Sequence, residues 1–202
     1  MGLLPDFEKE ILLNSHYERI VGIDEAGRGC WAGPVAVGAY ILDLNSQIFD
    51  RVNDSKKLST ATRNALFKNL KPQNFVIKFG SNTEIDTKGI TTIIIDKIYQ
   101  VIQQFRDGKT LFLIDGRHNY NFGVDCLQVL KGDSKFYSIA LASIVAKVSR
   151  DNLMIDLSKT YKDYNFAKHK GYGTKSHLDE LKQFGACAIH RKSFKPVLEF
   201  LK

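Results

Sequence analysis

Two short apolar runs, Ile20–Ile23 and Val35–Leu42, are separated by a connection that holds Gly27, Gly29, Gly33 and Pro34. Short β-branched runs bounded by turn residues read as two adjacent strands. The first run stops at two consecutive carboxylates, Asp24 and Glu25. Successive side chains on a strand point to opposite faces, so both acids can serve one site only where the strand ends or bends. The glycines that follow permit that bend and let a ligand approach the backbone closely. Acids at a strand tip followed by Gly27-Arg28-Gly29 point to a metal site beside a backbone surface for phosphate or sugar.

The remaining elements follow in order. Residues 6–18 read as a short helix leading into the first strand, and 43–52 as a polar loop. Asp54-Ser55-Lys56-Lys57-Leu58-Ser59 precedes a helical pattern from Thr60 to Leu70, with Ser59 as its N-cap. Phe75–Gly80 reads as a strand, Ser81–Asp86 as a polar connection, and Thr91–Phe105 as a helix with Ile94, Ile98, Val101 and Ile102 on one face. Lys109–Ile114 reads as a buried strand whose tip carries Asp115, the same arrangement as Asp24. Cys126–Leu130 is a further strand, followed directly by Gly132-Asp133-Ser134. The longest periodic stretch, Tyr137–Lys159, is the expected main core helix; Lys147, Arg150 and Asp151 read as its charged, exposed face. The tail opens with Lys168-His169-Lys170-Gly171-Tyr172-Gly173-Thr174, enters a helix that stops near Gly185, and continues to His190-Arg191-Lys192-Ser193-Phe194. Without repeats or linkers, this reads as one α/β domain over 1–202 with a C-terminal helical extension from about 160.

Composition narrows what such a domain acts on. The 202 residues carry a net charge of +7, with 29 basic and 22 acidic side chains, a balance that suits a polyanion such as nucleic acid. No apolar run approaches the ~18 residues of a membrane span, and the start carries acids rather than a cleavable leader. The cysteines Cys30, Cys126 and Cys187 are odd in number and far apart, which fits small buried residues in a reducing cytoplasm rather than a disulfide framework.

Asp24, Glu25, Asp115 and Asp133 each lie at an expected strand end or just beyond one. In an α/β sheet such ends converge on one edge, where sites form. Two carboxylates about 4 Å apart repel by about 4 kcal/mol at an effective dielectric of 20, so a cluster must protonate, pair with bases or bind cations. No Cys or His accompanies them at ligand spacing, and all-oxygen ligands select Mg²⁺ or Mn²⁺. A pair of such ions suits in-line phosphodiester displacement. Read alone, the four could still be ordinary turn and cap residues.

The motifs Ile23-Asp24-Glu25-Ala26-Gly27-Arg28-Gly29 with Ala32-Gly33-Pro34-Val35, Asp54-Ser55-Lys56-Lys57-Leu58-Ser59, His169-Lys170-Gly171-Tyr172-Gly173-Thr174 and His190-Arg191-Lys192-Ser193-Phe194 closely resemble ribonuclease HII over nearly the whole chain. The resemblance implies a ribonuclease H-like mixed five-stranded sheet flanked by helices, with Asp24, Glu25, Asp115 and Asp133 as catalytic metal ligands. It implies that Gly27, Arg28 and Gly29 read the ribose 2′-OH, the group that distinguishes RNA from DNA. Ser55, Lys56 and Lys57 would hold phosphates, although by themselves the lysines read as a solvated helix start. Tyr172 would pack on the next sugar and recognise the RNA–DNA junction. The implied reaction is hydrolysis of the RNA strand of hybrids, and 5′ to single ribonucleotides in duplex DNA, leaving 3′-OH and 5′-phosphate ends. A monomer is expected. Cys30-Trp31 stands where relatives usually have Pro-Leu, and Gly89 where they have Asn. Losing Pro frees the loop, and Trp31 reads as a packing residue rather than a base-stacking one. Ribonuclease HIII is similar in fold but lacks the Arg at position 28 and carries an extra N-terminal domain. A non-catalytic nucleic-acid-binding module would tolerate the loss of an acid, and all four are present.

Overall fold

The computed structural model describes residues 3, 5–117 and 120–201. The strands are β1 (Arg19–Ala26), β2 (Val35–Leu42), β3 (Phe75–Gly80), β4 (Thr110–Asp115) and β5 (Cys126–Val129). They form one sheet in the order β3-β2-β1-β4-β5. β1 runs antiparallel to β2, which runs antiparallel to β3; β1, β4 and β5 are mutually parallel. This is the mixed five-stranded sheet expected. The helices are α1 (Asp6–Leu13), α2 (Thr60–Asn69), α3 (Asn82–Lys88), α4 (Ile90–Gln104), α5 (Tyr137–Thr160), α6 (Phe166–His169), α7 (Lys175–Phe184) and α8 (Lys195–Leu198).

Alternation along the strands divides the core in two. Ile20 of β1 with Tyr40 and Leu42 of β2 join Tyr137, Leu141, Ile144 and Val148 of α5 on one face. Val21 and Ile23 with Val35, Val37 and Ala39 meet Ile94, Ile98 and Val101 of α4 on the other. α5 sits against the backbone of the sheet because Gly22 and Gly38 present no side chain. A Cβ at Gly38 would lie 2.6 Å from the Ala142 carbonyl oxygen. Glu8 reaches across from α1, and its carboxylate accepts the first backbone N–H groups of α5, Tyr137 at 2.6 Å and Ser138 at 3.2 Å. These donors have no partner within the helix, so a distant acid caps the central element.

Some expectations are corrected. Helix α1 ends at Leu13 rather than 18. The segment Ser81–Asp86 is not a loop: Ser81 caps α3, its hydroxyl accepting from the Glu84 N–H while Glu84 accepts from the Ser81 N–H. That reciprocal pair is a capping box. Gly89 joins α3 to α4 at φ +82°, a conformation that favours glycine. The three cysteines are free thiols, but of these Cys30 alone is fully buried. None of the described helices is long and apolar enough to cross a membrane.

Candidate active site

The acids gather at one edge of the sheet. Ile23 of β1 pairs with Ile114 of β4 in parallel register, so Asp24 and Asp115 extend side by side from neighbouring strand tips. The Gly132 N–H donates to Asp115 Oδ1 at 2.6 Å, which brings the short turn carrying Asp133 against the end of β4. Asp24 and Asp133 are 8% and 6% exposed. Burial, and then the Glu25, Asp115 and Asp133 carboxylates, push the Asp24 carboxyl well above its usual range. Asp133 is pushed up by burial and by the Asp54 and Asp115 carboxylates, with Lys56 acting the opposite way.

Beside them lies a cleft of ≈ 280 Å³ bordered by Asp24, Glu25, Gly27–Gly29, Ser55, Lys56 and Tyr172, with Ser143 and Lys147 of α5. Gly27 has φ +91°, and a Cβ there would strike the Arg150 side chain. A Cβ at Gly29 would meet no protein atom, so its bare backbone faces the cleft. Arg28 contacts Glu25 at 3.4 Å and donates to the Thr91 hydroxyl at 3.2 Å. The Ser55 N–H donates to the Ser143 hydroxyl at 3.3 Å, tying the lysine turn to α5. Lys57 does not border the cleft, although its neighbour Lys56 does. The Tyr172 ring lies under the Lys147 ammonium, 5.0 Å from the ring centre, with the Arg150 guanidinium at 5.6 Å. Burial pushes the Tyr172 phenol up to about 12.

The expected exposed face of α5 is the largest correction. Lys147 pairs with Asp151 at 2.8 Å. Arg150 is 0% exposed. It donates to the Pro34, Lys170 and Ala32 carbonyls at 2.8, 2.9 and 3.1 Å. Arg191, equally buried, donates to the carbonyls of Gly33 at 3.0 Å and Arg28 at 2.9 Å. The Arg150 guanidinium holds the Gly-rich loop after β1 against the Tyr172 loop, and that of Arg191 anchors the Gly-rich loop. Trp31 packs between the same loops, as its packing reading expects: its backbone N–H donates to the Gly171 carbonyl at 2.8 Å, and its indole occupies the space a Cβ at Gly173 would need.

Sequence reasoning missed Ser143, Lys147 and Arg150, although their spacing on one helix face, with Asp151 following, could have signalled a shared role. It also gave no role to Asp54, whose carboxyl stands close enough to Asp133 to help push the Asp133 carboxyl up.

The donor set suits hard divalent cations. Four carboxylates share one sheet edge, and burial, then the neighbouring carboxylates, disfavour the ionised form of Asp24, a cost a bound cation would offset. Among the described residues, no three acids already stand close enough to hold one ion together.

Comparison with known proteins agrees with this geometry. The family model for ribonuclease HII matches residues 21–197. Ribonuclease HII of Chlamydia muridarum is 44% identical over 189 residues, covering 92% of this chain and 86% of that protein. Among solved structures, ribonuclease H2 from Pyrococcus horikoshii OT3 is similar, with a TM-score of 0.70 and 22% identity over 90% of this chain and 96% of that one. The Bst ribonuclease HIII structure in complex with Mn²⁺ has a TM-score of 0.63 and 17% identity, covering 90% of this chain and 68% of that one; both likenesses speak for the fold. The matched motifs, the sheet and the acid-lined edge lead to one conclusion: the chain belongs to the ribonuclease HII family, metal-dependent endonucleases of the ribonuclease H type.

Proposed function

We propose that the chain cleaves the RNA strand of RNA–DNA hybrids and the phosphodiester 5′ to a single ribonucleotide in duplex DNA, leaving 3′-OH and 5′-phosphate ends. The observation that carries this reading is the meeting of the Gly27–Gly29 backbone, Tyr172 and the acid edge in one cleft.

Asp24, Glu25, Asp115 and Asp133 would hold the cations, with Mg²⁺ or Mn²⁺ fitting their all-oxygen chemistry. Two bound ions would supply an acidified water and charge neutralisation at the departing 3′ oxygen. The chain's own residues then select and orient the substrate. Backbone polar groups of Gly27–Gly29 meet the ribose 2′-OH, and a substrate lacking that hydroxyl leaves a polar group without a partner. Each such loss costs about 1–3 kcal/mol where the group is buried. Ser55 and Lys56 border the same cleft, where they would hold phosphates, and the exposed Lys57, next in the chain, would add positive charge.

Tyr172 packs on the sugar one nucleotide further on. An aromatic face suits a deoxyribose and disfavours burying a hydroxyl, so the ring reads the step from RNA to DNA. A protein with three free thiols and a net positive charge suits action on nucleic acid in the reducing cytoplasm.

The test is to compare a duplex carrying one ribonucleotide, an all-RNA–DNA hybrid and an all-DNA duplex, with Mg²⁺ and then Mn²⁺. Cleavage of the first two, at the 5′ side of the ribonucleotide in the first, is expected. Cleavage of the all-DNA duplex at a comparable rate would remove the 2′-OH from the account.

A further inference from the structure

We propose that His177 is a positioning residue for Tyr172, the last link of a hydrogen-bond relay from Cys187 through His190 that fixes the Tyr172 backbone and so the plane of its ring. The consequence for catalysis rests on the reading of Tyr172 as the residue that recognises the RNA–DNA junction; the relay itself does not.

The direction of every link follows from the atoms. The Tyr172 carbonyl can only accept, and His177 Nδ1 lies 3.0 Å from it, so His177 carries its proton on Nδ1. Its Nε2 is then a lone pair, 2.9 Å from His190 Nε2. His190 must therefore donate from Nε2, which leaves its Nδ1 as an acceptor. That nitrogen lies 2.9 Å from the Cys187 N–H and 3.1 Å from the Cys187 sulfur. One tautomer per ring satisfies the whole chain. A second proton on either ring would set two N–H groups against each other. Burial pushes both imidazoles down to about 4, so the uncharged relay is the form present at neutral pH.

The surroundings hold the rings in place. Both are 0% exposed. His169 stacks on His177 at 4.3 Å between ring centres. Its own nitrogens meet the Gly171 N–H at 3.1 Å and Glu180 at 2.9 Å. Tyr172 is thus gripped on both sides of its Cα: its N–H donates to the His169 carbonyl at 2.9 Å, and its carbonyl accepts from Thr174 N–H at 2.8 Å as well as from His177. The residue before it, Gly171, has φ +80°, a conformation that favours glycine; Arg150 and Trp31 hold the Lys170 and Gly171 carbonyls, and the bonds to His169, Thr174 and His177 hold Tyr172 itself. Neither His177 nor His190 borders the cleft, so they act through Tyr172 rather than on substrate.

Two measurements on the full-length protein test this. In ¹⁵N-labelled wild type at neutral pH, the imidazole protons should reside on Nδ1 of His177 and Nε2 of His190; the opposite tautomer in either ring overturns the relay. The second is the ratio of cleavage at a single ribonucleotide to cleavage within a hybrid, under one metal and salt condition. H177Q moves the amide away from the Nδ1 position and should lower the ratio by about threefold to tenfold, the effect of one lost hydrogen bond. H177N places an amide donor near Nδ1 and should restore most of it. A purely structural role would slow both substrates together and leave the ratio unmoved, which overturns the positioning role. Y172A run alongside separates the two readings. If Y172A shifts the ratio and H177Q does not, the positioning proposal fails alone. If Y172A leaves the ratio unchanged, junction reading fails and the positioning role falls with it.

Discussion

At neutral pH an ionised Asp24 costs the folded chain stability, because burial and then three neighbouring carboxylates raise its folded pKa above 3.8. Between the unfolded and the raised folded value the folded state binds the extra proton, so this cost grows as pH rises through that window and is full above it. In the presence of chelator, D24N should therefore melt higher than wild type at pH 7 to 8. The gap should shrink as the pH falls toward 4. A gap independent of pH in thermal melts would show that Asp24 is not under this strain. The position of the acid was readable because strand ends announce themselves by the glycines that follow. The place of Asp54 was not: only the folded turn brings it to Asp133. Glu8 was hidden for the same reason, since its partner N–H groups belong to Tyr137 and Ser138, far along the chain.

Helix α5 is the element on which the site depends, since Ser143, Lys147 and Arg150 all project from it toward the cleft and its loops. Its closeness to the sheet rests on glycines. G38A would place a Cβ 2.6 Å from both the Ala142 carbonyl oxygen and the Ala146 nitrogen. Both are backbone atoms that cannot rotate aside, so the helix must shift. Overpacking of this kind costs about 1–3 kcal/mol, read as a lower urea midpoint at an unchanged slope; an unchanged midpoint would contradict close seating. The strands and α5 were readable from period and β-branching, and β2 and β3 begin and end where the sequence puts them. The burial of Arg150 was not, because an Arg between Lys147 and Asp151 has the look of a solvated face. Its burial depends on backbone carbonyls of Ala32, Pro34 and Lys170 arriving from two other loops. The capping box at Ser81 and Glu84 was open to sequence reasoning and was passed over, since its polar residues also suit a turn.

Taken whole, the molecule places an acidic edge within a chain of net charge +7. Positive charge draws a polyanion in, and on the proposed function the acids would take cations at the point where it is cut. Two loops distant in sequence, 27–34 after β1 and 170–174 before α7, are bound together by Arg150 and Trp31, and Arg191 anchors the first of them. On the proposed function, specificity for the ribonucleotide and the chemistry of cleavage would thereby be joined in one cleft. The central claim is that the four acids, and not the surrounding basic surface, perform the cleavage. It is tested most directly by end-labelled duplex DNA carrying one ribonucleotide, incubated with Mg²⁺ or Mn²⁺ and wild type, D115N or D133N, while melting temperature is followed in parallel. The account predicts a cut 5′ to the ribonucleotide by wild type and none by either variant, with each variant melting at or above the wild-type temperature. Full cleavage by D115N or D133N would contradict it.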